Sequence, residues 1–363
     1  MELLYKPDWE ETKERYKAWW AHEYFGRCGL WVTAPKADLP PGNPPPLPEK
    51  VEDRWLDLDY VKVANAYYLP RAYYGGEAFP IWTAGYPGWA TIPCFLGCSV
   101  KLSEDTGWVD PILDKGELTD YDYRKLVIDP ENSWWKLALE VLKLGVKESK
   151  GKAIPSTGAF GGCGDTLSML RSSNQLLYDV VTCPEYVQEF EMYLMRQWCE
   201  VFDVFYDILH KTAEGSADWF PLWSPGKFYP AHNDFSYMIS PKMFRDIFLP
   251  ILEFQTNFMD NMVYHVDGIG AFAHVDALCE LPRLQAFQIL PGSGKPSPLH
   301  YMDVLKKVQS YGKNLHISIP ANEIEYALEN LSARGLFITT CVDSEEEARQ
   351  LLKNAEKWSV DRG

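Results

Sequence analysis

Four short apolar runs lie between residues 262 and 341: MVYHV (262–266), LQAFQIL (284–290), NLHISI (314–319) and GLFITTC (335–341). Each has the length of a buried strand rather than of a helix. Each is followed by a loop and a stretch with helical spacing, near 270–279, 300–311, 321–332 and 344–357 (SEEEARQLLKNAEK). Strands apolar on both faces, alternating with helices, specify a parallel sheet covered by helices. The same grammar extends upstream. AIPST (153–157) leads through a Gly-rich turn to a helix at 166–179, and Pro184 opens a long helix to 212. DWFPLW (218–223) precedes a helix at 240–260 marked by Ser240-Pro241. So many units in one chain predict an α/β fold of the (β/α)8 TIM-barrel type, with an open doubly wound sheet as second choice.

The amino-terminal part reads differently. Residues 8–25 carry Trp9, Tyr16, Trp19, Trp20 and Tyr24 at helical spacing, and Leu30–Val32 reads as a strand. ADLPPGNPPPLPEK (37–50) is a rigid connector, and residues 55–130, rich in Trp, Tyr, Gly and Pro, read as loops around a cavity mouth. Residues 133–149 form a helix capped by Ser133. The expected organisation is one barrel domain over 1–363, with 1–75 as a helical and loop-rich extension.

Composition narrows the function. Of 363 residues, 46% are hydrophobic and 24% charged, which excludes wholesale disorder. With 35 basic and 51 acidic side chains the net charge is −16, and no Lys/Arg run stands out, so nucleic acid and anionic membranes are not the expected partners. No apolar stretch is long enough to span a bilayer, and Met1 to Ala21 lacks the apolar block of a signal peptide. A cytoplasmic protein is expected, its eight cysteines reduced. Cys94 and Cys98 make a C-x3-C pair with no second pair to complete a zinc site. G-x-G-x-x-G, the P-loop, G-x-S-x-G and H-E-x-x-H are all absent from the sequence.

In a barrel, chemistry sits where strands end. In Tyr264-His265-Val266-Asp267-Gly268, His265 and Asp267 share one side of a strand, as a metal chelate or an acid–base pair would. Cys341 ends the last strand, so His265, Asp267 and Cys341 are the expected metal ligands, an N, O and S set suited to Zn²⁺. Gln288 ends another strand and is expected to orient substrate. The 218–241 segment supplies Trp223, Tyr229, His232 and Asp234, which with Tyr264 are expected to line a substrate pocket, Asp234 joining His265 and Asp267 in catalysis. The loop Gly158 to Asp165 offers glycines for close approach to a ligand, while Asp165 suits a helix cap. His274 and Asp276 repeat the H-x-D spelling within a helix and read as structural.

The run DFSYMISPKMFRDIFLPILE, followed by VYHVDG, LPGSG and SEEEARQLL, resembles the uroporphyrinogen decarboxylase superfamily from about Gly158 onward. The resemblance implies a (β/α)8 barrel. True uroporphyrinogen decarboxylases carry an amino-terminal R-Q-A-G-R; this chain has Gly26-Arg27-Cys28-Gly29. It is more similar to the corrinoid-linked methyltransferase branch, which binds zinc through H-x-C on one strand and Cys on the last. His265 and Cys341 match that pattern, and Asp267 replaces the first Cys. The resemblance therefore implies a zinc-dependent methyltransferase acting between a small substrate and a corrinoid carried by a separate protein, and a homodimer is compatible with it; Asp in place of a thiolate makes the zinc a harder Lewis acid, which points to an ether oxygen and so to a methoxylated aromatic substrate. The alternatives are a metal-free decarboxylase-like lyase, with Asp234 and His265 as acid–base groups, and a non-catalytic binding barrel.

Overall fold

The computed structural model describes residues 2–38, 42–85 and 88–363; the middle of the proline-rich connector, 39–41, lies outside them, as do 86–87 of the loop-rich region. The four apolar runs form adjacent parallel strands, buried at most positions. With three more they make a seven-stranded sheet: β1 (Gly29–Pro35), β2 (Ala72–Gly76), β3 (Phe228–His232), β4 (Asn261–Asp267), β5 (Ala286–Leu290), β6 (Asn314–Ser318) and β7 (Leu336–Cys341). The order is β2-β1-β7-β6-β5-β4-β3, parallel throughout except for β2 against β1. Helices Val275–Cys279, Met302–Ser310 and Ile324–Asn330 connect the strands from β4 to β7, and Glu345–Trp358 follows β7, as the alternating pattern requires.

The outcome upstream is less regular. Ile81–Trp82 and Ile154–Pro155 form a short parallel pair, and beside it Thr157 N donates to Ala217 O (3.2 Å). Among the described residues the strand pairings do not close the seven-stranded sheet into a ring. Residues 29–35, assigned from sequence to an amino-terminal extension, lie instead inside the sheet between β2 and β7.

The helix Trp9–Trp20 covers the amino-terminal ends of the strands. Trp9, Tyr16, Trp19 and Trp20 are buried against Phe79, Trp223, Phe228 and Phe337. Of these four buried indoles, three reach an acceptor for the N–H, while Trp9 Nε1 has no partner among the described residues. Trp19 Nε1 donates to Gly335 O, Trp20 Nε1 to Trp223 O and Trp223 Nε1 to Ala213 O, each at 2.9 Å. This plug leaves the carboxyl-terminal ends as the open end.

Two boundaries differ from the sequence reading. The helix from Ser133 is capped by Asn132, whose side chain accepts from Trp134 N and Trp135 N. The helix expected over 240–260 is broken into Pro241–Met243, a π-helical turn Phe244–Phe248 and Leu249–Phe258. Pro250 has no N–H for the Asp246 carbonyl, and Gln188 Nε2 donates to that carbonyl instead (2.7 Å).

Beside the plug, buried Glu77 accepts both guanidinium nitrogens of Arg27 (2.7 Å each), Arg15 Nε (2.6 Å) and Leu30 N (2.6 Å). Burial alone would raise its pKa; the charges and hydrogen bonds of Arg27, then Arg15, outweigh it and hold the carboxyl at about 2. Its folded pKa is thus depressed, so its stabilisation is complete above the ordinary value of 4.5 and is lost as pH falls toward 2. Glu77→Gln leaves Arg27 buried without a counter-charge and should cost about 3–5 kcal/mol at neutral pH. Urea melts of both proteins from pH 7 to pH 3 should show the difference shrinking as the solution is acidified.

Candidate metal centre

The register of the sheet sets the site. His232 is the partner of His265 across β3 and β4, His265 of Gln288 across β5, and Gln288 of His316 across β6. Parallel neighbours stand about 4.8 Å apart, so these residues form one row across four strands. Gln288 Oε1 can only accept, so it takes the proton of His265 Nδ1 and leaves Nε2 as a lone pair. Asp165 Oδ2 takes the proton of His232 Nδ1 (2.6 Å) in the same way. His232 Nε2 is buried and has no partner among the described residues. Trp219 stands edge-on to both rings, 6.3 Å from His232 and 5.3 Å from His265.

Asp165 is held as firmly as it holds. It opens the helix Asp165–Arg171, its Oδ2 also accepts from Asp234 N (2.9 Å) and its Oδ1 from Phe235 N (2.9 Å). The Gly-rich loop before it is there for the protein's own packing, not for a ligand. A Cβ on Gly162 would meet His232 O at 2.6 Å, and Gly164 combines φ +79° with Asn233 Oδ1 at 2.3 Å from its would-be Cβ. Asn233 in turn caps the turn Asp234–Met238 by accepting from Ser236 N (3.0 Å).

Two donor groups result, each with ligand atoms within 4.8 Å of one another: Asp165, His232 and Asp234, and Asp234, His265 and Asp267. Asp234 belongs to both. It also lines two cavities. One, of about 480 Å³, is lined by Asp165, His232, Trp108, Met169, Phe235 and Met238 among others. The other, about 360 Å³, is lined by Asp267, Tyr237, Met238, Pro291 and Lys295.

The expected site residues divide accordingly. His265, Asp267, Asp234 and His232 come together. Gln288 is buried, and its Oε1 accepts from His265 Nδ1 and so orients that histidine. Cys341 is exposed at the end of β7 and joins neither group. The physical reason is stagger. The histidine row reaches β7 at Phe337, four residues before Cys341, about 13 Å along a strand. Trp223 is part of the aromatic plug at the far end. Tyr229 is fully buried, its hydroxyl donating to Gly161 O (3.2 Å) and accepting from Phe160 N (3.0 Å). Tyr264 is buried, its hydroxyl unpartnered among the described residues. None of these three lines either cavity. His274 is structural as read, stacked on Phe244 at 4.3 Å. Asp165 in its orienting role, Trp219 and His316 escaped the sequence reading.

The electrostatics follow from crowding. Burial would lower the pKa of His232, but the hydrogen bond and charge of Asp165 raise it overall. His265 is lowered by burial, with Gln288 opposing and the neighbouring His232 adding. Asp234 stands at the cavity mouth, where lost hydration raises its pKa; Asp165 and Asp267 push it further up and His232 opposes them. At the end of the row, His316 is pushed down to about 3 by burial and by His265. An array of this kind, with Nδ1 of His232 and of His265 engaged and their Nε2 atoms left over beside carboxylates, suits a divalent cation.

No family model matches the sequence, and no curated protein matches it. Among solved structures the chain is similar to a methyltransferase from Methanosarcina mazei, with a TM-score of 0.59 at 10% identity, over 95% of this chain and 98% of that one. At that identity the likeness is one of fold.

Behind the site, Glu191 on the long helix Pro184–Ala213 accepts from Gly164 N (3.0 Å) through Oε2, while its Oε1 is buried without a partner among the described residues. Burial pushes its carboxyl up to about 8, against the Gly164 hydrogen bond and with help from Asp165. Its folded pKa is raised, so stability is lost progressively as pH rises from the ordinary 4.5 through about 8. Glu191→Gln should match the wild type at pH 5 and exceed it by at least about 1 kcal/mol at pH 9. Denaturant titrations at the two pH values check this.

Proposed function

We propose that this protein is a metal-dependent methyltransferase of the uroporphyrinogen decarboxylase-like kind, moving a methyl group from a small methoxylated aromatic compound to a corrinoid carried by a separate protein. The supporting observation is the Asp234, His265 and Asp267 cluster at the carboxyl ends of parallel strands, in a fold similar to that of a methyltransferase. We read the short strands Ile81–Trp82 and Ile154–Pro155 as the irregular part of a (β/α)8 barrel. Asp234, His265 and Asp267 would hold the cation, with zinc as the metal of this reading. When bound, the cation supplies Lewis acidity toward the leaving oxygen.

The remaining work falls to the chain's own residues. Trp108, Met169, Phe235 and Met238 give the larger cavity an apolar lining that can hold an aromatic ring. Gln288 keeps His265 in one tautomer and Asp165 keeps His232 in one orientation. In the transfer, the methyl–oxygen bond breaks as the bond from carbon to the partner's cobalt(I) forms. The electron pair stays on oxygen, and the phenolate takes a proton from water.

The test combines the zinc-loaded chain, cobalt(I) corrinoid protein and a panel of methoxylated benzenes, with methylcobalt formation followed by absorbance. The wild type should transfer methyl groups from at least one compound. His265→Ala and Asp267→Ala should lose at least about a hundredfold in rate with unchanged thermal melts. A zinc-loaded chain that transfers nothing from the panel, or variants as active as wild type, would overturn the reading.

A further inference from the structure

We propose that His232 is a protein ligand of the same cation, through Nε2, so that the centre is an all-nitrogen-and-oxygen set of His232, His265, Asp234 and Asp267 without a thiolate. The inference deepens the metal-dependent reading above and rests on it.

Three independent features lead there. First, His232 and His265 are register partners on adjacent strands, so their side chains leave the sheet on the same side, and Trp219 stands edge-on to both rings. Second, His232 carries an orientation device without an assigned use. Asp165 takes its Nδ1 proton at 2.6 Å, and the opposite nitrogen, Nε2, is buried with no partner among the described residues. A buried imidazole nitrogen without a partner costs free energy unless something occupies it. A carboxylate holding the far side of a histidine is the arrangement that accompanies metal ligation. Third, Asp234 lies within 4.8 Å of ligand atoms on both the His232 side and the His265–Asp267 side.

Asp165 is not itself a ligand in this assignment. Its two oxygens already accept from His232, Asp234 N and Phe235 N, which makes it a positioning residue. Cys341 is excluded by its place on β7, and no other cysteine belongs to either donor group among the described residues. A set of two imidazoles and two carboxylates lacks the soft donor that favours zinc, so Mn²⁺, Fe²⁺ and Co²⁺ should also bind, with affinity rising in that order.

The experiment loads the full chain with Co²⁺ and reads binding and the absorption spectrum, with no activity measurement. One Co²⁺ per chain is expected, with no thiolate-to-cobalt charge-transfer band, and Cys341→Ala should be indistinguishable from wild type. His232→Ala should weaken Co²⁺ binding at least tenfold. Because that variant removes a buried ring, a second measurement uses the wild type alone: with isotope-labelled histidine and Zn²⁺, the Nε2 resonances of both His232 and His265 should move to metal-bound positions. A charge-transfer band lost in Cys341→Ala, two ions per chain, no ion at all, or a His232 resonance that stays put would each overturn the proposal. If binding behaves as expected while methyl transfer fails, the metal centre stands and the methyltransferase reading falls.

Discussion

The site depends on one register, that of β3 against β4. Because His232 pairs with His265, two imidazoles rise from neighbouring strands on one face, and each adds a carboxylate two residues on, Asp234 in the turn after β3 and Asp267 as the last residue of β4. A slip by one residue would turn one histidine to the opposite face and disperse the donors. The register is fixed by burial. Val263, Tyr264, Val266, Tyr229 and Ala231 are all within 2% of full burial, so neither strand can slide without exposing apolar side chains or burying polar ones.

The rest of the molecule keeps that face usable. The tryptophan-rich plug closes the amino-terminal ends of the strands, and each of three indoles reaches a backbone carbonyl. Ligand access is thereby left to the opposite end, where loops are free to vary. Polar groups are stacked inside that end. His316, the Asp218 carboxyl and the Tyr264 hydroxyl all retain buried atoms without partners among the described residues. Buried polar atoms of this kind mark places where water, an ion or a ligand completes the bonding.

Much of this was legible in the sequence, and the failures are instructive. The four apolar runs after residue 262 announced parallel strands because strands buried on both faces leave a dense local signal. His265 and Asp267 were legible because an i, i+2 pair on a strand shares a side whatever the tertiary fold. Cys341 was placed in the centre because strand ends were treated as level. The stagger between strands is a property of pairing, and no single strand encodes it. Trp223 and Tyr229 were read as pocket residues because aromatic content says only that a side chain packs, not on which end of the sheet. Asp165 was seen as a helix cap, but its contact with His232 spans 67 positions of sequence and only folding creates it.

The central claim is that a single cation is held by nitrogen and oxygen donors from His232, His265, Asp234 and Asp267. X-ray absorption at the zinc edge of the loaded wild-type chain tests it directly. The account predicts a first shell of nitrogen and oxygen at about 2.0–2.2 Å, with the outer-shell scattering of two imidazoles. A sulfur scatterer at about 2.3 Å would contradict it and return Cys341 to the metal.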